Sequence, residues 1–379
     1  MFQIGVIGYG SRMKTFVNAL IKTGKAHIAA IADIDPVSAK ARAEANGLDG
    51  ITYYTDAKEM LNSERLDGVL VGTRCPQHRE MAELVASYDL PLFLEKPVCI
   101  LEEDLPRLEA LLPNMEQKTV VSFPLRASVM FQRVKELLDQ GVIGEVAHVQ
   151  AYNNVPYARG YYHKWYRDDS QTGGLFLQKA THDLDYIHHL LGKDQPIRIC
   201  AASSKQVFRG NEPAGKKCTD CEKAASCLES PENLLKDNPN AKLGEYCCFA
   251  EDTGNEDSGS CIVEYESGLH VVYSQNFIVR NGAGKRGARL VGFLGTLEFD
   301  WVTGIITLYH HFENKVETFD MNDAQDGSHF GGDQVLADGF VAVMMGQESI
   351  APLSSGILSA KLCLAARRSA QEHTFISLK

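Results

Sequence analysis

No apolar run in the sequence reaches about 18 residues, the length a membrane-spanning helix needs, so no membrane partner is expected. Basic clusters are also missing. Thirty-eight Lys and Arg stand against 49 Asp and Glu, a net charge of −11. Such a surface repels phosphate backbones, which removes nucleic acid from the expected partners. The opening MFQIGVIGYG has no basic leader and is apolar at once. It reads as a first strand and not as an export signal. Internal repeats are absent as well, so a solenoid is not expected.

What remains is an ordinary globular composition, 44% hydrophobic and 23% charged. At 379 residues the chain exceeds one small core, and two domains are expected. Ten cysteines without an export signal point to a reducing, cytoplasmic setting, where thiols stay free or bind metal. Cys75, Cys99, Cys200, Cys261 and Cys363 lie among apolar runs and read as small core residues. The remaining five crowd into one segment.

The first 124 residues alternate strand and helix patterns. FQIGVIG, HIAAIAD, DGVLVGT, LPLFLEKP and TVVSF are short apolar runs. Helical spacing separates them at 12–23, from Pro36 onward, at 77–87 and at 103–112. This rhythm predicts a doubly wound parallel sheet. From 125 to 379 the pattern is α+β. A helix near 129–140 leads to strands at EVAHVQAYN, IRICAASS, SCIVEYES, GLHVVYSQNF, ARLVGFLG, TLEFDW and GIITLYHH. Their turns predict hairpins in an open, mostly antiparallel sheet. One face of that sheet needs a cover beyond the helix THDLDYIHHLLG, so a homodimer or homotetramer is expected. Residues 205–257 are polar and cysteine-rich. Few large apolar groups are available there to offset ordering entropy, so the segment reads as an insertion apart from the core.

Gly8-Tyr9-Gly10-Ser11-Arg12-Met13 follows the first strand and opens a helix. Gly8 permits a tight turn, and Gly10 lets backbone approach a pyrophosphate. The helix N-terminus beyond offers N–H groups and a positive dipole end to that anion. Arg12 adds charge or is a solvated surface residue. Met13 stands where a third glycine usually serves close helix–strand packing. Asp33, at the end of the second strand, can accept ribose hydroxyls and repel a 2′-phosphate, which favours NAD over NADP. Asp35 is the better cap for the helix at Pro36.

Glu95-Lys96-Pro97 closes the fifth apolar run, at the carboxyl end where doubly wound sheets bind ligands. A partly desolvated lysine beside a nicotinamide can exchange a proton with a substrate hydroxyl as hydride leaves its carbon. The alternative is a surface lysine paired with Glu95. Further on, His182, Asp185 and His189 share a helix face, an arrangement open to proton relay, substrate contact or metal.

GVIGYGSR, the acid of IADID, VGTRCPQH, LEKP and GGLFLQKATHDLD occur in the order found in the Gfo/Idh/MocA oxidoreductases. The sequence resembles that family along essentially its whole length, including GFLGTLEFD. The resemblance implies an NAD(P)-binding Rossmann domain and a C-terminal domain with an open sheet used in oligomer contacts. It also implies hydride transfer on a sugar, sugar acid or cyclitol. Lys96 matches the family's catalytic lysine, His182 its catalytic histidine, and Asp185 a substrate-side carboxylate. Thr73 and His78 match a cofactor-side loop in which Arg74 here replaces a proline. Gln178 stands where many dehydrogenases of the family carry an acid, and a glutamine cannot titrate. That departure keeps open redox-neutral chemistry on tightly bound NAD, such as elimination, epimerisation or glycoside cleavage. Lys179 is then a substitute proton carrier. A non-catalytic sensing module is the third reading, disfavoured because Lys96 and His182 are both present.

Arg126, Tyr162, Trp165 and Arg167, with Gln178 and Asp185, are the expected substrate contacts, since aromatic faces suit sugar rings and arginine suits hydroxyls or carboxylates. Gly8, Gly10, Ser11, Arg12, Asp33, Thr73, His78, Glu95 and Lys96 are the expected cofactor contacts. Cys218, Cys221 and Cys227, with Cys247 or Cys248 as a fourth donor, suit a tetrahedral thiolate site for zinc or an iron–sulfur cluster. Hydride transfer needs no metal, so this one is expected to tie the loop.

Overall fold

A computed structural model describes residues 1–237, 243–322 and 328–379. The chain divides into two compact units. The first comprises Met1–Glu136, Leu184–Leu190 and Asp323–Lys361, and the second Leu137–Asp183, Leu191–Asn322 and Leu362–Lys379.

Six parallel strands build the first unit: β1 Phe2–Ile7, β2 Ala26–Ala32, β3 Thr52–Tyr54, β4 Gly68–Val71, β5 Leu92–Leu94 and β6 Thr119–Val121. Their order is β3-β2-β1-β4-β5-β6, with a switch between β1 and β4. β4, β5 and β6 are buried at every residue, which is why they read as unbroken apolar runs. The helix Ser11–Lys22 buries Met13, Phe16, Val17, Ala19 and Leu20, the face set by its apolar spacing. Phe16 stacks on Phe93 of β5 at 3.5 Å between ring centres. The helix Gly332–Met344, which the sequence reading passed over, joins the same core through Leu336, Ala337 and Phe340. Gln334 on it donates to the Ala19 carbonyl at 3.2 Å.

The second unit is organised by nine strands: β7 Val146–Asn154, β8 Pro196–Ser204, β9 Ser258–Tyr265, β10 His270–Asn276, β11 Lys285–Gly292, β12 Gly295–Asp300, β13 Ile305–His310, β14 Val316–Asp320 and β15 Ile376–Ser377. Their order is β14-β13-β12-β11-β7-β10-β9-β8-β15. Only β7 and β10 run parallel; the other pairs are antiparallel. Inward and outward residues alternate cleanly along β9 and β10, the signature of a sheet with one buried face.

The polar segment 205–257 is less separate than its composition implied. Phe208 and Cys248 enter a core cluster with Val155, Ala158, Tyr162, Leu175 and Phe277. Asn255 donates to the carbonyls of Tyr161 and Tyr166, and Asp257 accepts from the N–H groups of Val207 and Phe208. A few buried residues and a set of backbone-directed side chains thus supply the ordering energy that apolar bulk does not.

Candidate active site

The expected cofactor residues lie in the first unit. Gly8 has φ +82°, and a Cβ there would sit 2.8 Å from the Gly72 carbonyl and the Thr73 nitrogen. Glycine is therefore required by conformation and by contact. A Cβ on Gly10 would meet no protein atom within 4 Å, so that side of the turn is open. Gly10 precedes the helix Ser11–Lys22, and no side chain caps its first turn. The free N–H groups keep their capacity for an anion.

Asp33 clasps this turn. Its Oδ2 accepts from the Tyr9 N–H at 2.9 Å and its Oδ1 from the Asp35 N–H at 3.0 Å. Arg42 donates to the Tyr9 carbonyl at 3.0 Å and lies 3.5 Å from Asp33 Oδ2. Asp35, as expected, caps the next helix through the Ser38 N–H.

Lys96 follows β5 and is partly exposed, while Glu95 is buried. Glu95 accepts from Arg12 at 3.0 Å and from the Ser122 hydroxyl at 3.0 Å. Arg12 also pairs with Asp333 at 2.6 Å. Arg12 and Glu95 are thus engaged with each other, a use their expected role at the cofactor did not include. His78 is buried, with Nδ1 2.6 Å from the Pro97 carbonyl and Nε2 3.2 Å from that of Thr73. Burial pushes its imidazole below the usual histidine range. A neutral imidazole carries one N–H, and the shorter contact places it on Nδ1, donating to the Pro97 carbonyl of the Glu95-Lys96-Pro97 corner.

Several expected substrate contacts have other work. Arg126 and Asp185 are both buried in the first unit and form a two-pronged pair with each other. In the second unit, Tyr162 is fully buried and donates to the Glu256 carbonyl. Arg167 is buried between Asp252 and Thr253, with its guanidinium over the Tyr246 ring. Gln178 is buried, and its amide donates to the Thr172 carbonyl at 2.9 Å. Tyr162 and Arg167 thus reach partners 94 and 85 residues away in sequence, while Gln178 bonds within its own segment. Trp165 is partly exposed and stacks on Tyr166 at 3.9 Å.

The second unit holds a polar cluster of its own that the sequence reading only touched. His182 and Lys179 are both partly exposed. Lys179 Nζ is 3.2 Å from the Tyr157 hydroxyl and lies over the rings of Tyr157 and Tyr161 at 4.7 and 4.8 Å. Partial burial alone would raise the Tyr157 pKa, but Lys179 and Arg286 outweigh it and the phenol is shifted down. Asp183 has no exposed surface and accepts from Asn153, Tyr273 and Arg286 at 2.8, 2.9 and 2.8 Å. The acid directly after His182 was the available signal for this network, and it was missed.

The four-thiol set is not the group the structure gathers most tightly. Among the described residues, the three donors close enough for one ion are His163, Glu229 and Cys248, all within 4.8 Å of one another. Of the expected cysteines, only Cys248 belongs to this group.

Residues 2–123 match the oxidoreductase family with an NAD-binding Rossmann fold, and residues 131–298 match the GFO/IDH/MocA C-terminal domain. The chain belongs to the GFO/IDH/MocA family of oxidoreductases. It is 25% identical over 319 residues to the oxidoreductase YteT of Bacillus subtilis (strain 168), across 74% of this chain and 73% of that one. It is 28% identical over 214 residues to inositol 2-dehydrogenase of Rhizobium meliloti (strain 1021), across 56% and 62% of the two chains. A solved levoglucosan dehydrogenase, in complex with NADH and levoglucosan, shares the fold with TM-score 0.78 at 15% identity, covering 100% of this chain and 99% of the other.

Proposed function

We propose that the protein transfers hydride between NAD and a hydroxyl-bearing carbon of a sugar, sugar acid or cyclitol. The observation that carries this reading is the Gly8–Gly10 turn clasped by Asp33, with partly exposed Lys96 following β5 of the same sheet. Bound NAD would accept the hydride. The chain's own part is to hold the dinucleotide on the uncapped helix N-terminus, to exclude a 2′-phosphate with Asp33, and to manage the hydroxyl proton. Lys96 and His182 take that proton in our assignment. Tyr157 with Lys179 forms a second proton-handling pair, and Gln178, whose Nε2 donates to the Thr172 carbonyl, takes no proton because an amide does not titrate.

The relatives named inositol 2-dehydrogenase and levoglucosan dehydrogenase support the substrate class. The exposed Phe293, Val302, Phe312 and Val316 around β11–β14 support a homo-oligomeric state. The cysteine-rich segment is assigned a structural part, since hydride transfer requires no metal.

The test is NADH formation by the purified chain with NAD and a panel of sugars, sugar acids and inositols. Sustained turnover is expected, and Lys96→Met should lower kcat by about 10²–10⁴. NAD binding with product formed but no net NADH would replace this reading with redox-neutral chemistry. Binding without any product would replace it with a sensing role.

A further inference from the structure

His163 ends the short helix Gly160–His163, Glu229 precedes the helix Pro231–Asp237, and Cys248 follows in the same polar segment. His163 and Cys248 are each 1% exposed. His163 Nδ1 lies 2.7 Å from the Tyr246 carbonyl, so Nδ1 carries the hydrogen and donates it. Nε2 of the neutral ring is then a lone pair. It faces Glu229 Oε2 at 3.7 Å, and neither atom has a hydrogen-bond partner. The other carboxylate oxygen, Oε1, is held by Arg280 at 2.8 and 3.2 Å. Two buried acceptors therefore point at each other beside a thiol. Such an arrangement calls for a positive charge between them, either a proton or a metal ion.

We propose that His163, Glu229 and Cys248 bind a zinc ion, with a neighbouring thiolate from Cys218 or Cys227 as the fourth ligand. Tetrahedral zinc with bonds of about 2.0–2.3 Å separates its donors by about 3.3–3.8 Å. The 3.7 Å between His163 Nε2 and Glu229 Oε2 fits that separation. The orientation of both side chains is already fixed from behind, by the Tyr246 carbonyl on the histidine and by Arg280 on the carboxylate. Such outer partners are the usual companions of metal ligands. Charge supports a fourth thiolate: one zinc ion and Arg280 balance Glu229 and two thiolates. Cys247, Cys227 and Cys218 all lie close to Cys248. The Cys218 sulfur also lies 3.7 Å from the same Tyr246 carbonyl that holds His163. Imidazole and carboxylate in the set suit zinc and argue against an iron–sulfur cluster, which takes thiolates throughout in its common forms.

The ion would join two stretches of the second unit. His163 belongs to the aromatic segment that also carries Tyr157 and Trp165, while Glu229 and Cys248 belong to the cysteine-rich segment. The metal would thus set the position of the aromatic segment without entering the chemistry.

The experiment uses the full chain, purified without chelator or nickel resin and titrated anaerobically with zinc(II) alone. One zinc per chain is expected by elemental mass spectrometry. His163→Gln and Cys248→Ser should weaken binding at least tenfold, while Cys221→Ser should retain the ion. Zinc lost in Cys221→Ser but kept in His163→Gln would overturn the proposal in favour of a cysteine-only site. No zinc in the wild type would overturn it in favour of a protonated His163–Glu229 pair. Should the variants fail to fold, cobalt(II) in the wild-type chain decides: X-ray absorption should show mixed nitrogen/oxygen and sulfur scatterers, and sulfur alone would refute the assignment. NADH binding followed in parallel keeps this result separate from the hydride-transfer reading.

Discussion

Met13 lies over Gly72, so closely that a Cβ added to Gly72 would sit 2.7 Å from the Met13 methyl and 3.1 Å from its Cβ. The glycine absent from the usual third position of the fingerprint is thus matched by one at the end of the neighbouring strand. The larger residue is on the helix and the smaller one on the sheet. Gly72→Ala should therefore push the helix Ser11–Lys22 outward. The expected cost is about 1–3 kcal/mol, read by urea unfolding, together with weaker NADH binding. Unchanged stability would show that Met13 swings clear.

Asp33 both anchors the glycine turn and presents a carboxylate at the end of β2. Asp33→Asn keeps the shape but removes the charge. NADH should bind at least tenfold more weakly, and the preference for NADH over NADPH should narrow, as measured by fluorescence titration with each nucleotide. A uniform loss for both nucleotides would mean that the clasp on Tyr9 matters and the charge does not.

Asp183 concentrates three donors on one buried carboxylate, and Arg286 is the charged one among them. Removing one partner of a buried pair leaves the other uncompensated. Asp183→Asn should cost about 3–5 kcal/mol in chemical unfolding. A loss below about 1 kcal/mol would place Arg286 effectively in solvent.

Asp333 gives a pH prediction. Burial works to raise its pKa, but the hydrogen bond to His329 and the charge of Arg12 outweigh it and hold the carboxyl below the usual range. A depressed folded pKa stabilises the protein above the unfolded value of about 4 and is lost as pH falls below it. Stability followed from pH 6 down to about 2 should decline less steeply in Asp333→Asn than in the wild type. Parallel curves would exclude the linkage.

The phenol of Tyr157 should titrate below an ordinary tyrosine, because Lys179 and Arg286 outweigh its partial burial. Difference absorbance at the tyrosinate band should show this early titration, and Lys179→Met should move it up. No change on that substitution would remove Tyr157 and Lys179 from the list of proton carriers.

The alternation of apolar runs with helical spacing made the parallel sheet legible, because its strands are buried on both faces. The hairpins β9–β10 and β11–β12 were legible from their turns. Gly8 and Asp33 could be read because the glycine turn and the acid that clasps it lie within one βαβ unit. The partners of Arg126, Arg167 and Tyr162 could not. Each lies 59, 85 or 94 residues away. A sequence shows that an arginine is present, but not that a distant carboxylate already occupies it. Cys248 was among the expected metal donors, but its grouping with His163 and Glu229 escaped notice for the same reason: motif spacing finds cysteines on one loop, and His163 comes from a separate segment. The helices Gly332–Met344 and Leu353–Glu372 were missed although their apolar spacing was in plain view.

The position of β7 has a kinetic consequence. It pairs with β10 on one side, His148 against His270, and with β11 on the other, Gln150 against Arg289. Both partners are synthesised more than a hundred residues later. The β9–β10 hairpin and the β11–β14 meander are local and can form within microseconds of release from a denaturant, on the order of 1–10 μs for a hairpin. The nine-stranded sheet nevertheless remains in two halves until β7 inserts between them, a closure across a long loop that includes the cysteine-rich segment. The rate-limiting step of the second unit should be this insertion, and until it occurs the unpaired flanks of β10 and β11 are exposed edges open to association with other chains.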